Sequence, residues 1–199
     1  MSLIASDKGN GTHFEIIPED TYTAICCEVI DLGLQENKTY DKVQPKVLIG
    51  WEIPELQVEI GGEMKPRIYT KQYTNSLNDK ATLCKHLVAW RGKQFTEEEK
   101  KGFDVSKLLG VPCLLQIVHE KSGDKTYTNL GSITKLPKGM PQPTPMMPQI
   151  RFDIDESPLS MINEMPTWIQ DIIKESVEYK ERTDGFEELG ESEGGDLPF

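Results

Sequence analysis

The chain has 199 residues, 37% of them hydrophobic, and carries 22 Lys or Arg against 33 Asp or Glu for a formal net charge of −11. That length supports one core with an appendage, and no apolar run of roughly 18 residues exists to form a membrane-spanning helix. Met1-Ser2-Leu3-Ile4-Ala5-Ser6-Asp7 lacks the basic start and apolar centre of a secretory signal, so a cytoplasmic protein is expected.

The charge is uneven. Residues 1–150 hold 18 basic and 19 acidic side chains, whereas residues 151–199 hold 4 and 14, so a nearly neutral body carries an acidic tail. Such asymmetry points to a tail that interacts, with partners or with its own body.

The first segment rich in β-branched and aromatic residues runs from about His13 to Leu34 and reads as a long strand. Lys46–Ile53 follows as a second strand, in which Gly50 suggests a bulge or bend. Pro54 and Gly61-Gly62 mark the turn region into a third strand, Arg67–Tyr73. The period then changes: Leu83, Leu87 and Trp90 recur at helical spacing, with Asp79 as the expected N-cap and Gly92 where a C′ glycine belongs. Thr96 and Glu99 have the spacing of a capping box for a second helix start. Val111–Glu120 and Lys125–Leu136 complete the body as two strands around a Ser122-Gly123-Asp124 turn.

Pro137, Pro141, Pro143, Pro145 and Pro148 make residues 137–150 a linker in extended geometry, closing a domain of residues 1–136. Within residues 151–183, Ile169, Ile172, Ile173 and Val177 form the apolar stripe of a helix opened by Pro166, with Trp168 beside it. Residues 184–199 lose all periodicity and read as a disordered acidic tail. The four cysteines, Cys26, Cys27, Cys84 and Cys113, have no metal-ligand spacing and read as buried free thiols.

Single-stranded nucleic acid is held by a basic groove together with rings on which bases stack. In the third strand a period of two places Arg67, Tyr69, Lys71 and Tyr73 on one face, as a groove would need. The competing reading makes Tyr69 and Tyr73 core packing and the two cations a solvated edge. Trp51 and Trp90 read as core. Arg91 and Lys93, flanking Gly92, fit either phosphate contact or compensation of a helix dipole. Lys125 and Tyr127 form a second stacking and phosphate pair, and Lys135 and Lys138 extend the groove.

Catalysis finds no support. His13, His86 and His119 lie in separate elements, and Gly61-Gly62 lacks the further glycines and the Lys of a phosphate loop. No catalytic residue, metal or cofactor is expected.

Five short strands with a helix between the third and fourth follow the order of an OB-fold, a small Greek-key barrel that binds oligonucleotides. Leu83–Trp90, Arg91-Gly92-Lys93-Gln94-Phe95-Thr96, Gly102-Phe103-Asp104, Leu108-Leu109-Gly110-Val111-Pro112-Cys113, Tyr127 and Leu136-Pro137-Lys138-Gly139 resemble bacteriophage-encoded single-stranded DNA-binding proteins, over about residues 45 to 139. Asp196-Leu197-Pro198-Phe199 resembles the acidic C-terminal tip of bacterial single-stranded DNA-binding proteins, although Gly194-Gly195 stand where further Asp residues are commonest. The resemblance implies a protein that coats single-stranded DNA, or RNA, in the host cytoplasm and recruits replication or recombination enzymes through Asp196, Leu197, Pro198 and Phe199. A homo-oligomer is compatible with it. The alternative is a protein-interaction adaptor that binds no nucleic acid.

Overall fold

The computed structural model describes residues 16–37, 42–123 and 125–190, with side chains described as far as Asp184 apart from Asn37. The fold is mainly β. Its strands are β1 (Asp20–Asn37), β2 (Lys42–Ile60), β3 (Glu63–Thr74), β4 (Pro112–Ser122), β5 (Lys125–Lys135) and β6 (Ile150–Phe152). Helices α1 (Thr82–Arg91) and α2 (Glu97–Lys101) lie between β3 and β4, and α3 (Thr167–Lys174) and α4 (Val177–Gly190) follow β6.

The sheet order is β3-β2-β1-β4-β5, antiparallel throughout, with β6 added parallel to β1. β1 changes partner along one edge: Asp20–Ile25 pairs with β4, and Glu28–Ile30 pairs with β6. A bulge between Cys26 and Glu28 sits at the change, adding the local kink such irregularities supply. It explains Gly50, which faces Glu28: a Cβ there would lie 2.6 Å from Glu28 Oε2. The irregularity expected at Gly50 therefore belongs to the neighbouring strand. Pro54 does not end β2, which continues past a bulge between Ile53 and Gln57 to the two-residue turn Gly61-Gly62. Both glycines have positive φ, 64° and 85°, as a tight hairpin turn of this kind requires.

The expected barrel does not close. β3 and β5 are opposite edges of the sheet, with no ladder between them among the described residues. Tyr69 of β3, Leu83 and Leu87 of α1 and Leu130 of β5 belong to one core cluster. Side chains thus occupy the seam where a closing ladder would run. α1 begins at Thr82 with Ala81, which has no capping side chain, as its N-cap; Asp79, the expected cap, lies two residues earlier and pairs with Lys100 at 3.1 Å. Gly92 ends it in the left-handed conformation, and Thr96 with Glu99 forms the expected capping box.

The other sheet face carries a second cluster, in which Ile30, Leu32 and Leu48 meet Phe152, Ile154, Ile162, Ile169 and Ile173. Residues 151–183 therefore share a core with β1 and β2 and do not stand apart from the body. The proline-rich stretch before them is strapped to the sheet by Glu52, which is fully buried and accepts hydrogen bonds from the Met146 and Met147 amides at 3.0 and 2.8 Å. Arg182 of α4 donates to the Ile154 and Ser157 carbonyls, and Glu178 accepts from the Leu34 amide at 2.8 Å. The disorder expected from Asp184 gives way to helix as far as Gly190. Asp196, Leu197, Pro198 and Phe199 lie outside the described residues.

All four cysteines are buried and free. Burial raises the Cys26 and Cys113 thiols far above the usual range and Cys27 to about 12.

Because α3 completes a core shared with the central strands, Ile173→Ala should lower the stability of the whole protein by about 2–5 kcal/mol. Urea denaturation followed by tryptophan fluorescence and far-UV circular dichroism should show one transition, shifted. Two transitions, with only one of them shifted, would make the C-terminal segment an independent unit.

Candidate nucleic-acid interface

β3 decides which of its residues can meet a ligand. Its period of two does place Arg67, Tyr69, Lys71 and Tyr73 together, but the shared face is the inner one. Tyr69 is 7% exposed and stacks on Trp51 with ring centres 6.2 Å apart; Trp51 in turn meets Trp90 at 5.8 Å. Tyr73 is 4% exposed, and its hydroxyl lies 2.8 Å from His86 Nδ1. These rings are core, as the competing reading had it, and neither offers a face to a base. Burial pushes both phenols above their ordinary range.

The cations beside them escape to the margin. Lys71 reaches back over the Tyr73 ring, its Nζ 6.0 Å from the centroid, while Arg67 is half-buried and has its own partner. Long basic side chains do this readily, laying the stem on apolar surface and keeping the charge in water.

Arg91 has a structural task. Its guanidinium lies over Phe95 at 4.2 Å and Phe103 at 5.4 Å, and Nη2 pairs with Glu99 at 2.5 Å. Lys93 approaches the same carboxylate at 3.9 Å. Glu99 is held below the usual carboxylate range, first by the Thr96 backbone and then by Arg91. Lys125 and Tyr127 stand exposed on the β4–β5 hairpin, with Tyr127 opposite Glu120. Of the eight expected residues, Lys71 and Tyr73 line one cationic cavity and Arg91 another, and Lys125 and Tyr127 line neither.

What the fold assembles instead is a cleft along the β3 edge. Its volume is about 470 Å³, and its described lining is Lys46, Lys71, Gln72, Tyr73, Thr74, Lys80, Ala81 and Thr82, with no carboxylate. Lys46 stands opposite Thr74 in the β2–β3 ladder and donates to its Oγ1 at 2.8 Å. Lys80 is exposed at the start of α1. Three lysines, three hydroxyl-bearing residues and a glutamine around one concavity form a surface for anions.

Lys46 and Lys80 escape a reading based on alternation along one strand. A local charge count finds the region: residues 64–96 contain Lys65, Arg67, Lys71, Lys80, Lys85, Arg91 and Lys93 against the single acid Asp79. The structure turns that acid away, toward Lys100. In a chain of net charge −11 this block of β3 and α1 is a strong local exception.

Among the described residues no group of three or more His, Cys, Asp or Glu is placed to hold a metal ion, and no helix is long and apolar enough to cross a membrane. No family model matches the chain, and no curated protein matches its sequence.

Tyr73→Phe removes one hydroxyl–imidazole hydrogen bond from the core and should cost about 1 kcal/mol of stability. Oligonucleotide affinity should not move; a loss of affinity at unchanged stability would return the ring to the binding surface. His86 is kept below its ordinary value, first by burial and then by the charge of Lys71. The unfolded chain then takes up the proton before the folded one, so stability is full above about pH 6.5 and falls as the pH drops toward the folded value. The unfolding midpoint should track this in urea titrations between pH 7 and 5, with a shallower dependence in His86→Gln.

Proposed function

We propose that the protein binds single-stranded DNA without strong sequence preference, in the manner of phage-encoded single-stranded DNA-binding proteins, and carries no turnover. The observation that supports this most is the carboxylate-free cleft of Lys46, Lys71 and Lys80 at the β3 edge, continuous with an α1 that has no acidic residue. Phosphate contact is the dominant source of affinity for such a ligand and needs clustered cations free of competing acids. The strand order supports an OB-fold reading, since 3-2-1-4-5 is the order of that partly open barrel with its β3–β5 closure left out. In this reading the exposed Tyr127 and Lys125 contribute at most a peripheral contact. The segment Asp196–Phe199 supplies the acidic and apolar side chains through which replication or recombination enzymes would be recruited.

Fluorescence anisotropy with labelled (dT)12 tests the reading directly. Affinity should fall with salt, with a log–log slope of about −0.7 for each phosphate neutralised. Lys46→Gln with Lys80→Gln should make that slope shallower by roughly 0.7 per lysine. Anisotropy that stays flat with the wild-type protein would leave the interaction adaptor as the better description.

A further inference from the structure

A second cationic cavity lies at the opposite end of α1, between the start of β4 and the turn that follows β5. It has a volume of about 350 Å³, and Arg91, Lys135 and Lys138 line it together with Val111 and Met140. Val111 and Met140 are large hydrophobic side chains left 37% and 39% exposed. The described lining holds no carboxylate. Glu99 pairs with Arg91 through Oε1 and accepts from the Thr96 amide at 2.9 Å through Oε2, so this carboxylate is fully engaged. One guanidinium nitrogen of Arg91, Nη1, is buried with no hydrogen-bond partner. The same guanidinium is engaged by Glu99 and by the Phe95 and Phe103 rings, so its structural contacts hold it at the rim of the cavity.

The two cavities share α1. Thr82 lines the first and Arg91 the second, and at about 1.5 Å per residue their backbones stand about 14 Å apart. From Lys80 to Thr96 the sequence contains no Asp or Glu, and Glu99, the carboxylate that reaches Arg91 from the next helix, is itself neutralised by Arg91 and Lys93. At the roughly 3.4 Å rise of a stacked strand, about five nucleotides cover the distance.

Resting on the nucleic-acid reading above, we propose that this second cavity is a further anchor for the same single strand. An unstacked base lies against Val111 and Met140, and flanking phosphates meet the exposed Lys135 and Lys138. Apolar contact of this kind suits the thymine methyl group. The strand then runs beside α1 from the β3 edge to the start of β4, and α1 is a part of the interface.

The test uses the full chain with (dT)3, which spans only about 7 Å when stacked, and (dT)12, which reaches both cavities. Lys135 and Lys138 are both exposed, so Lys135→Gln with Lys138→Gln should fold normally, checked by circular dichroism and urea denaturation. Its salt slope for (dT)12 should be shallower than wild type by about 1.4, two phosphates at about 0.7 each, while (dT)3, too short to bridge the cavities, keeps the binding that the first cleft gives it. Met140→Ala should weaken (dT)12 without altering the slope. A variant that binds (dT)12 with wild-type affinity and slope would overturn the second anchor while leaving the first cleft standing. Wild-type protein that binds neither oligonucleotide would overturn the nucleic-acid reading itself.

Discussion

Seven consecutive residues of β2, Val47 to Ile53, are buried, which demands packed material on both faces of the sheet. Val47, Ile49, Trp51 and Ile53 enter the core that α1 covers, and Leu48 enters the core built with the C-terminal helices. Glu52 points the same way as Leu48, and it is tolerated there because two backbone amides of the proline-rich strap satisfy its carboxylate. The strap, β6 and α3 are in this sense the second wall of the sheet. Burying a sheet on both faces is usual for parallel strands; this antiparallel sheet reaches the same state by folding its own C-terminal segment back over it.

That arrangement decides where function can sit. With both faces of β1 and β2 occupied, polar ligands are left the edges: β3, the turn that leads to α1, α1 itself, and the ends of β4 and β5. The basic residues concentrate in just this region, and the one acid within residues 64–96 is drawn off by Lys100. The open β3–β5 seam has a further effect. It keeps Tyr69, Tyr73 and Trp51 in a continuous aromatic core while letting the Lys71 stem cross Tyr73 and present its charge at the rim. The rings support the basic edge from behind.

Signals that act over a few residues were legible in the sequence. The capping box at Thr96 and Glu99, the left-handed Gly92, the Gly61-Gly62 turn and the stripe of Leu83, Leu87 and Trp90 all depend on local backbone chemistry, and all are present. Long-range facts were not. Alternation in β3 tells which residues share a face but not which face another element will cover, so Tyr69 and Tyr73 read as groove residues when they are core. The parallel pairing of Glu28 with Ile150, and the burial of Glu52 beneath Met146 and Met147, join segments far apart in sequence. Asp79 is not the cap because α1 begins at Thr82 with Ala81 in the cap position, two residues later, and Asp79 instead pairs with Lys100 on the next helix. The candidate cleft was therefore legible only as a basic neighbourhood around Lys71, and not as a shape.

Hydrogen–deuterium exchange of the full chain, with and without saturating (dT)12, tests most directly whether the basic edge is where a single strand lies. Slower exchange in the amides of Thr70–Thr74 and Lys80–Arg91, and in the turn around Lys138, is the predicted outcome, with α3 and β6 unchanged. Protection confined to the C-terminal face, or none under conditions where (dT)12 is bound, would contradict the account.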